Sequence, residues 1–180
     1  DKLRDSLNES QILQTATQEL AEVLKLRSCQ IELYDSKQKT ATIAYEKSIT
    51  LPESEGTTRK IQDFPQLYKQ LLEKIPVQLV EKDPQFSPQD IQVTRLACPI
   101  FDDSGIIGNV WGLKSPTKVF TNLEIELIQQ VASQCAIAIR QARLYEASSQ
   151  QVAELARVNQ LKDDFLKTIT HELKAPLSSI

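Results

Sequence analysis

The 180 residues, 41% hydrophobic and 25% charged, suit one core-bearing domain with an appendage. A net charge of −3 and the lack of any Lys/Arg run argue against nucleic acid or an anionic membrane as the main partner. No apolar run approaches the roughly 20 residues of a membrane span.

In chain order, Asn8 to Leu26 reads as a helix. Asn8 caps it, Gln11 stands at the third position, and Ile12, Leu13, Ala16, Leu20, Val23 and Leu24 form an apolar stripe. Leu3 and Leu7 suggest an earlier helical piece leading in. Cys29-Gln-Ile31-Glu-Leu33-Tyr alternates apolar and polar, the pattern of a half-buried strand. Thr40 to Tyr45 predicts a second strand, with Ile43 and Tyr45 on one face and Ala44 on the other. A loop follows over Leu51 to Gly56, then a short strand from Ile61 to Phe64. Pro65 opens a short helix carrying Leu67, Tyr68, Leu71, Leu72 and Ile75 on one side, and Pro76 ends it. Val77 to Val80, Thr94 to Phe101 and Ile106 to Leu113 are strands, the last two joined by the turn Asp102-Asp-Ser-Gly105. This order predicts an α+β fold, an antiparallel sheet with helices gathered on it. Cys29, Cys98 and Cys135 are far apart and form no CxxC, so reduced thiols filling core space are expected.

The order of elements, with Thr94-Arg-Leu-Ala-Cys-Pro-Ile100, Ile107-Gly-Asn-Val-Trp-Gly-Leu113 and the helix from Asn122 to Ile139, resembles a GAF domain of the kind found in cyanobacterial sensor kinases. The resemblance covers about residues 8–145. It implies a small-molecule pocket on one sheet face and dimerisation through helices on the other. Bilin-binding relatives carry a Cys, commonly followed by His, between the fourth and fifth strands. Here Glu81 to Val93 has neither, and the chain's only histidine lies elsewhere, so neither a covalent bilin nor a haem is expected. Tyr34, Phe64, Tyr68, Phe86 and Trp111 either line an apolar cavity or fill the core.

From Thr117 to Ala175 there is neither Gly nor Pro, and Thr121-x-x-Glu124 is a capping box. One continuous helix from about 121 to 180 is expected, roughly 90 Å long at 1.5 Å per residue. A helix of that length needs a partner helix, and a second copy of the chain is the simplest one. Tyr145, Ser148, Val152, Leu155, Asn159, Lys162, Leu166, Ile169, Leu173, Pro176 and Ile180 follow 3–4 spacing. This seam turns polar at Asn159 and Lys162, which either permits two helix arrangements or merely faces water.

At the end of this helix, Phe165, Leu166, Ile169, Leu173, Leu177 and Ile180 share one stripe. His171 points away from it, with Lys167 and Lys174 beside it. An imidazole is a nucleophile with a neutral nitrogen available near neutral pH, and ammonium groups attract phosphate oxygens. Glu172 is placed to hold one tautomer, and Pro176, lacking an N–H for the carbonyl of Glu172, should bend or loosen the helix. His-Glu-Leu-Lys-Ala lacks the second histidine of a zinc motif.

The stretch Lys162-Asp-Asp-Phe-Leu-Lys-Thr-Ile-Thr-His-Glu-Leu-Lys-Ala-Pro-Leu resembles the H-box of sensor histidine kinases, whose core commonly reads His-Glu-Leu-Arg-Thr-Pro-Leu. The resemblance implies that His171 is the phosphoacceptor and that Glu172 is the acidic residue assisting phosphotransfer. It departs at Ala175, where the family has Thr or Asn to place a water for phosphatase chemistry. The expected organisation is a GAF sensor domain over residues 1–145, a signalling helix over 146–162 and the start of the dimerisation and phosphotransfer (HisKA) helix over 163–180. The chain opens in a charged segment and closes inside the H-box, so a piece of a longer, cytoplasmic-facing kinase is expected. Its partners would be a second copy and a response-regulator receiver domain, with ATP bound by a domain outside this chain. These residues carry no glycine-rich phosphate loop. The alternatives are a non-enzymatic GAF dimerisation or ligand-binding module with a non-functional H-box, and a GAF domain governing some other output.

Overall fold

Helix α1 spans Lys2–Val23. Strands β1 (Ser28–Asp35) and β2 (Thr40–Ser48) form a hairpin, β3 (Thr58–Lys60) follows, and a 3-10 turn over Ile61–Asp63 leads into α2 (Pro65–Leu72). Then come β4 (Val77–Glu81), β5 (Val93–Asp102), β6 (Gly105–Lys114) and the long α3 (Asn122–Ser178). The computed structural model describes the backbone of residues 2–81 and 92–178, and side chains from 9 to 80 and from 92 to 171. The fold is α+β, as the order of elements predicts.

The six strands make one antiparallel sheet in the order β3-β2-β1-β6-β5-β4. The two longest strands, β5 and β6, pair through the Asp102–Gly105 turn. There the amide of Ser104 donates to Asp102 Oδ1 at 2.9 Å and Gly105 takes φ +130°, a conformation open to glycine. β1 and β6 lie centrally, so both of their faces are covered, and the alternation of β1 does not mark a solvent side.

One sheet face packs on α1 and α3. Leu13, Leu20, Cys29, Ile31, Leu96, Cys98, Val110, Ile128, Cys135 and Ile139 are buried there. Fully burying one such Ile contributes roughly 1.5–3 kcal/mol. The three cysteines are free and buried in this layer. Burial pushes the Cys29 and Cys98 thiols up to about 12 and Cys135 to about 11, so they are inert protonated thiols in the core.

The opposite face is covered by the segment running from β3 through α2. Tyr68, Leu71, Ala97, Trp111 and Leu113 are buried there, with Tyr34, Phe64 and Leu79 packed against them.

Several local readings shift. The piece carrying Leu3 and Leu7 is continuous with α1, so Asn8 lies inside the helix rather than at its cap. The helix stops at Val23 rather than Leu26. Lys25 adopts φ +52° and the amide of Leu26 reaches back to the carbonyl of Ala21 at 2.9 Å, a Schellman-type closure. A β-bulge pairs Tyr45 with Ile31 but Ile43 with Glu32. Ile43 and Tyr45 therefore sit on opposite faces, not the same one. The strand expected over Ile61 to Phe64 is instead at Thr58–Lys60, where Thr58 pairs with Thr42 and their hydroxyls lie 2.8 Å apart. Residues 61–63 form the 3-10 turn.

Candidate functional site

The chain presents two sites of different character. The first is on α3. The capping box forms: the amide of Thr121 donates to Glu124 Oε1 at 3.0 Å and the amide of Glu124 to Thr121 Oγ1 at 3.2 Å. Lys114, the last residue of β6, donates to Glu124 at 2.6 Å. Partial burial acts to raise the Glu124 pKa, but the Lys114 ammonium and the Thr121 amide outweigh it and hold the carboxyl below its ordinary 4.5. Arg140, near the end of the packed stretch, donates to Asp102 Oδ2 at 2.9 Å. The sheet thus grips α3 at both ends of β6.

Beyond the packed stretch, α3 continues without a break to Ser178, and the loosening expected at Pro176 does not interrupt it. The helix is about 85 Å long at 1.5 Å per residue. Every side chain from 150 to 171 is exposed, including the apolar Val152, Leu155, Val158, Leu161, Phe165 and Ile169. His171 is exposed, with Lys167 one turn before it on the same side of the helix and Leu166 and Thr170 edging the shallow groove beside it. The side chains of Glu172, Lys174 and Ala175 lie outside the described residues. Among the described residues, no helix is long and apolar enough to cross a membrane.

The second site is a buried polar cluster on the sheet face under α2. Glu32 of β1 is 0% exposed. The Tyr68 hydroxyl, from α2, donates to its Oε2 at 3.0 Å, and Asn109 Nδ2, from β6, donates to its Oε1 at 2.9 Å. Asn109 Nδ2 also lies 2.7 Å from the Tyr34 hydroxyl. A guanidinium nitrogen of Arg59, from β3, stands 3.8 Å from Glu32 Oε2, and the guanidinium carbon lies 5.4 Å from the centre of the Trp111 ring. Tyr34 and Phe64 meet the Tyr68 ring edge-on at 6.0 and 6.5 Å. Burial, and then the Glu32 charge, raise the Tyr68 pKa; burial raises that of Tyr34 more than its bond to Asn109 lowers it. Both phenols are therefore protonated, Tyr68 donating to Glu32 and Tyr34 accepting from Asn109.

Of the five aromatics singled out in the sequence, four meet here, and Phe86 lies outside the described residues. They fill the layer around a carboxylate rather than around an apolar void. Sequence reasoning missed Glu32, Asn109 and Arg59. Glu32 read as the solvent side of an alternating strand. The usable signal was Asn109, a polar residue inside the apolar run Ile106 to Leu113.

A GAF domain family model matches residues 8–139. The chain belongs to the GAF domain family. Among solved structures, the blue-light absorbing form of the PixJ GAF domain of Thermosynechococcus elongatus has TM-score 0.68 and 13% identity, covering 84% of this chain and 96% of that one. The GAF domain/HD domain protein of Geobacter sulfurreducens has TM-score 0.65 and 17% identity, covering 76% and 94%. These likenesses show the GAF fold. Hybrid signal transduction histidine kinase G of Dictyostelium discoideum is 31% identical over 71 residues, which is 36% of this chain and 2% of that protein. The chain thus spans a small fraction of that relative's length. Together with the GAF fold, this partial likeness suggests a role in signalling.

Proposed function

We propose that this chain is the sensory and phosphoacceptor part of a cytoplasmic-facing two-component sensor histidine kinase. In this reading residues 1–145 are the sensor domain, 146–162 the signalling helix and 163–180 the start of the HisKA helix. The observation that carries it is an exposed His171, in a stretch that resembles an H-box, on the same unbroken helix that is clamped into the GAF core. An ATP-binding domain outside these residues presents the γ-phosphate. An imidazole nitrogen of His171 attacks phosphorus, the bond to ADP breaks, and ADP leaves. Lys167, one turn before, draws the phosphate oxygens. Glu172 orients the ring and takes up its proton. A response-regulator aspartate then receives the phosphoryl group.

A second copy of the chain is the partner that would cover α3. Val152, Leu155, Leu166 and Ile169 follow one 3–4 register, interrupted by Asn159 and Lys162. Val158, Leu161 and Phe165 follow a register one residue earlier, through the same interruption. The two stripes support paired helices that exchange between two packings of similar energy, one of them presenting His171 for phosphorylation. An open groove of about 860 Å³ between α1 and α3, lined by Ile12, Ala16, Leu127 and Val131, adds apolar surface on the helix side.

The test is to incubate the chain, extended through its catalytic domain, with γ-labelled ATP beside its His171→Gln variant. Acid-labile label on the parent and none on the variant is expected. Equal labelling, or none on either, rejects His171 as the acceptor.

A further inference from the structure

We propose that the β5–β6 turn is a releasable latch on α3, and that α2 works it through Lys74 and Phe101. The latch stands on the GAF core alone; only its effect on His171 rests on the kinase reading.

Two charged contacts of unequal kind hold α3 to the sheet. At its start, Glu124 belongs to the capping box and meets Lys114 at 2.6 Å, with the two side chains 19% and 10% exposed. That contact is built into the helix terminus. Ile139 is the last buried side chain of α3 among the described residues, and Arg140 follows it. The Arg140 guanidinium donates to Asp102 Oδ2 at 2.9 Å and to the Gly105 carbonyl at 3.5 Å. Both side chains of the Asp102–Arg140 pair are more than a quarter exposed. Water therefore competes for this pair, and opening it strands no buried charge.

The turn that carries Asp102 can move as a unit. The β5–β6 register shifts between Ile100 and Phe101, so only the pairs Phe101–Ile106 and Asp102–Gly105 lie beyond the bulge. Within the tip, the Ser104 amide holds Asp102 Oδ1. Asp102 thus travels with Phe101 and the tip, not with the rest of the ladder.

Phe101 is also where the end of α2 meets the tip. α2 closes in a Schellman motif: Lys74 takes φ +65°, its amide donates to the Leu71 carbonyl at 3.0 Å, and the Ile75 amide donates to the Gln70 carbonyl at 3.1 Å. Lys74 is thereby fixed to the helix end. Its Nζ lies 4.9 Å from the centre of the Phe101 ring, a cation–π contact. A displacement of α2 shifts Phe101, Asp102 moves with it, and Arg140 is held or let go. Held and released are the two discrete arrangements that coupling requires. Because Glu124 stays anchored, release redirects α3 and does not detach it.

The test places nitroxide labels at Ser36→Cys, in the β1–β2 turn, and at Gln151→Cys, on the open part of α3. Both positions are exposed, and the three native cysteines are buried. Labelled chain is diluted with unlabelled chain, so that pulsed electron spin resonance reads distances within one molecule. One narrow distribution is expected for the parent. Arg140→Gln and Lys74→Gln should each broaden or shift it, and the double variant should go no further than Arg140→Gln. Lys69→Gln, at an exposed position of α2, should match the parent. Unchanged fluorescence of Trp111, the only tryptophan, shows that the core is intact. In the chain extended through its catalytic domain, Arg140→Gln and Lys74→Gln should change acid-labile labelling in the same direction, by about two- to thirtyfold. A parent-like distribution in Arg140→Gln overturns the latch. A parent-like Lys74→Gln, or effects that add in the double variant, overturns the route from α2. No label on the extended parent rejects the kinase reading, and the distances then decide the latch by themselves.

Discussion

Glu32→Gln is the most informative single substitution in the GAF core. The side chain keeps its shape but loses its charge. One oxygen becomes an NH2, so either Tyr68 or Asn109 now points a donor at a donor. The Arg59 guanidinium, nearly buried at 11% exposure, loses the carboxylate at 3.8 Å. Losing the charged acceptor of a buried hydrogen bond typically costs about 1.5–3 kcal/mol. With a urea m-value of about 2 kcal/mol/M, this lowers the unfolding midpoint by roughly 0.7–1.5 M. Trp111 fluorescence is the appropriate probe, since it reports the GAF core, whereas circular dichroism is dominated by α3 beyond the core. Glu154→Gln is the control. Its partner Arg157 lies on the open helix, with both side chains more than half exposed, so a change below about 1 kcal/mol is expected. A double-mutant cycle with Tyr68→Phe should return a coupling of about 1–3 kcal/mol. If Glu32→Gln unfolds within about 1 kcal/mol of the parent, the cluster does not hold the segment from β3 to α2 to the sheet, and the reasoning fails.

Three further outcomes are expected. Gly108→Ala should destabilise by more than Gly112→Ala: its Cβ would sit 1.9 Å from the Glu32 carbonyl oxygen, a backbone atom of the paired strand, while a Cβ on Gly112 would meet the Phe120 side chain at 3.1 Å. Overpacking of the second kind costs about 1–3 kcal/mol, and the first should exceed that range in urea unfolding. Because the folded-state pKa of Glu124 is depressed, its pairing with Lys114 stabilises the fold above the ordinary 4.5 and is lost as pH falls below it. The Tm gap between parent and Glu124→Gln should therefore be constant near neutrality and shrink on acidification; a gap independent of pH would contradict this. On the proposed kinase reading, Asn159→Leu combined with Lys162→Leu should lock the chain, extended through its catalytic domain, in one output state and raise the stability of a dimer paired through α3, seen by autophosphorylation and by sedimentation. Unchanged output and regulation would remove the two-register idea.

What the sequence disclosed was what local chemistry controls. The Thr121–Glu124 capping box, the Asp102–Gly105 turn and the start of α2 at Pro65 each depend on residues within a few positions, and each forms as read. What it hid depends on partners far along the chain. The edge strand lies at Thr58–Lys60 because Thr58 meets Thr42, not because of its own propensity. Glu32 is buried because its strand lands in the third place of a six-stranded sheet and receives donors from positions 68 and 109. A carboxylate in an alternating strand has no local mark distinguishing that fate from solvent exposure. His171 is exposed together with every other side chain from 150 to 171, the apolar Phe165, Leu166 and Ile169 included, so helical phase does not distinguish it there.

The two sites meet in one strand. β6 carries Asn109 and Trp111 into the polar cluster on one face, and it ends at Lys114, whose ammonium holds the first turn of α3. Its other end opens from the turn where Asp102 holds Arg140. A strand fixed to a helix at both of its ends cannot change twist at its middle without moving at least one of the fixed points. Any rearrangement at Glu32 that shifts Asn109 is therefore felt at the base of α3 over the length of a single strand, with no chain of intermediates. On a rod about 85 Å long, even a rotation of a few degrees at the base becomes a displacement of several ångströms at His171. Energetic coupling, however, requires two discrete arrangements and not a merely stiff lever. In the proposed reading, the interrupted stripe at Asn159 and Lys162 would supply them, since the exposed apolar side chains there shift from one helical register to the next. A helix with one continuous apolar seam would transmit the same motion but would have nothing to switch between.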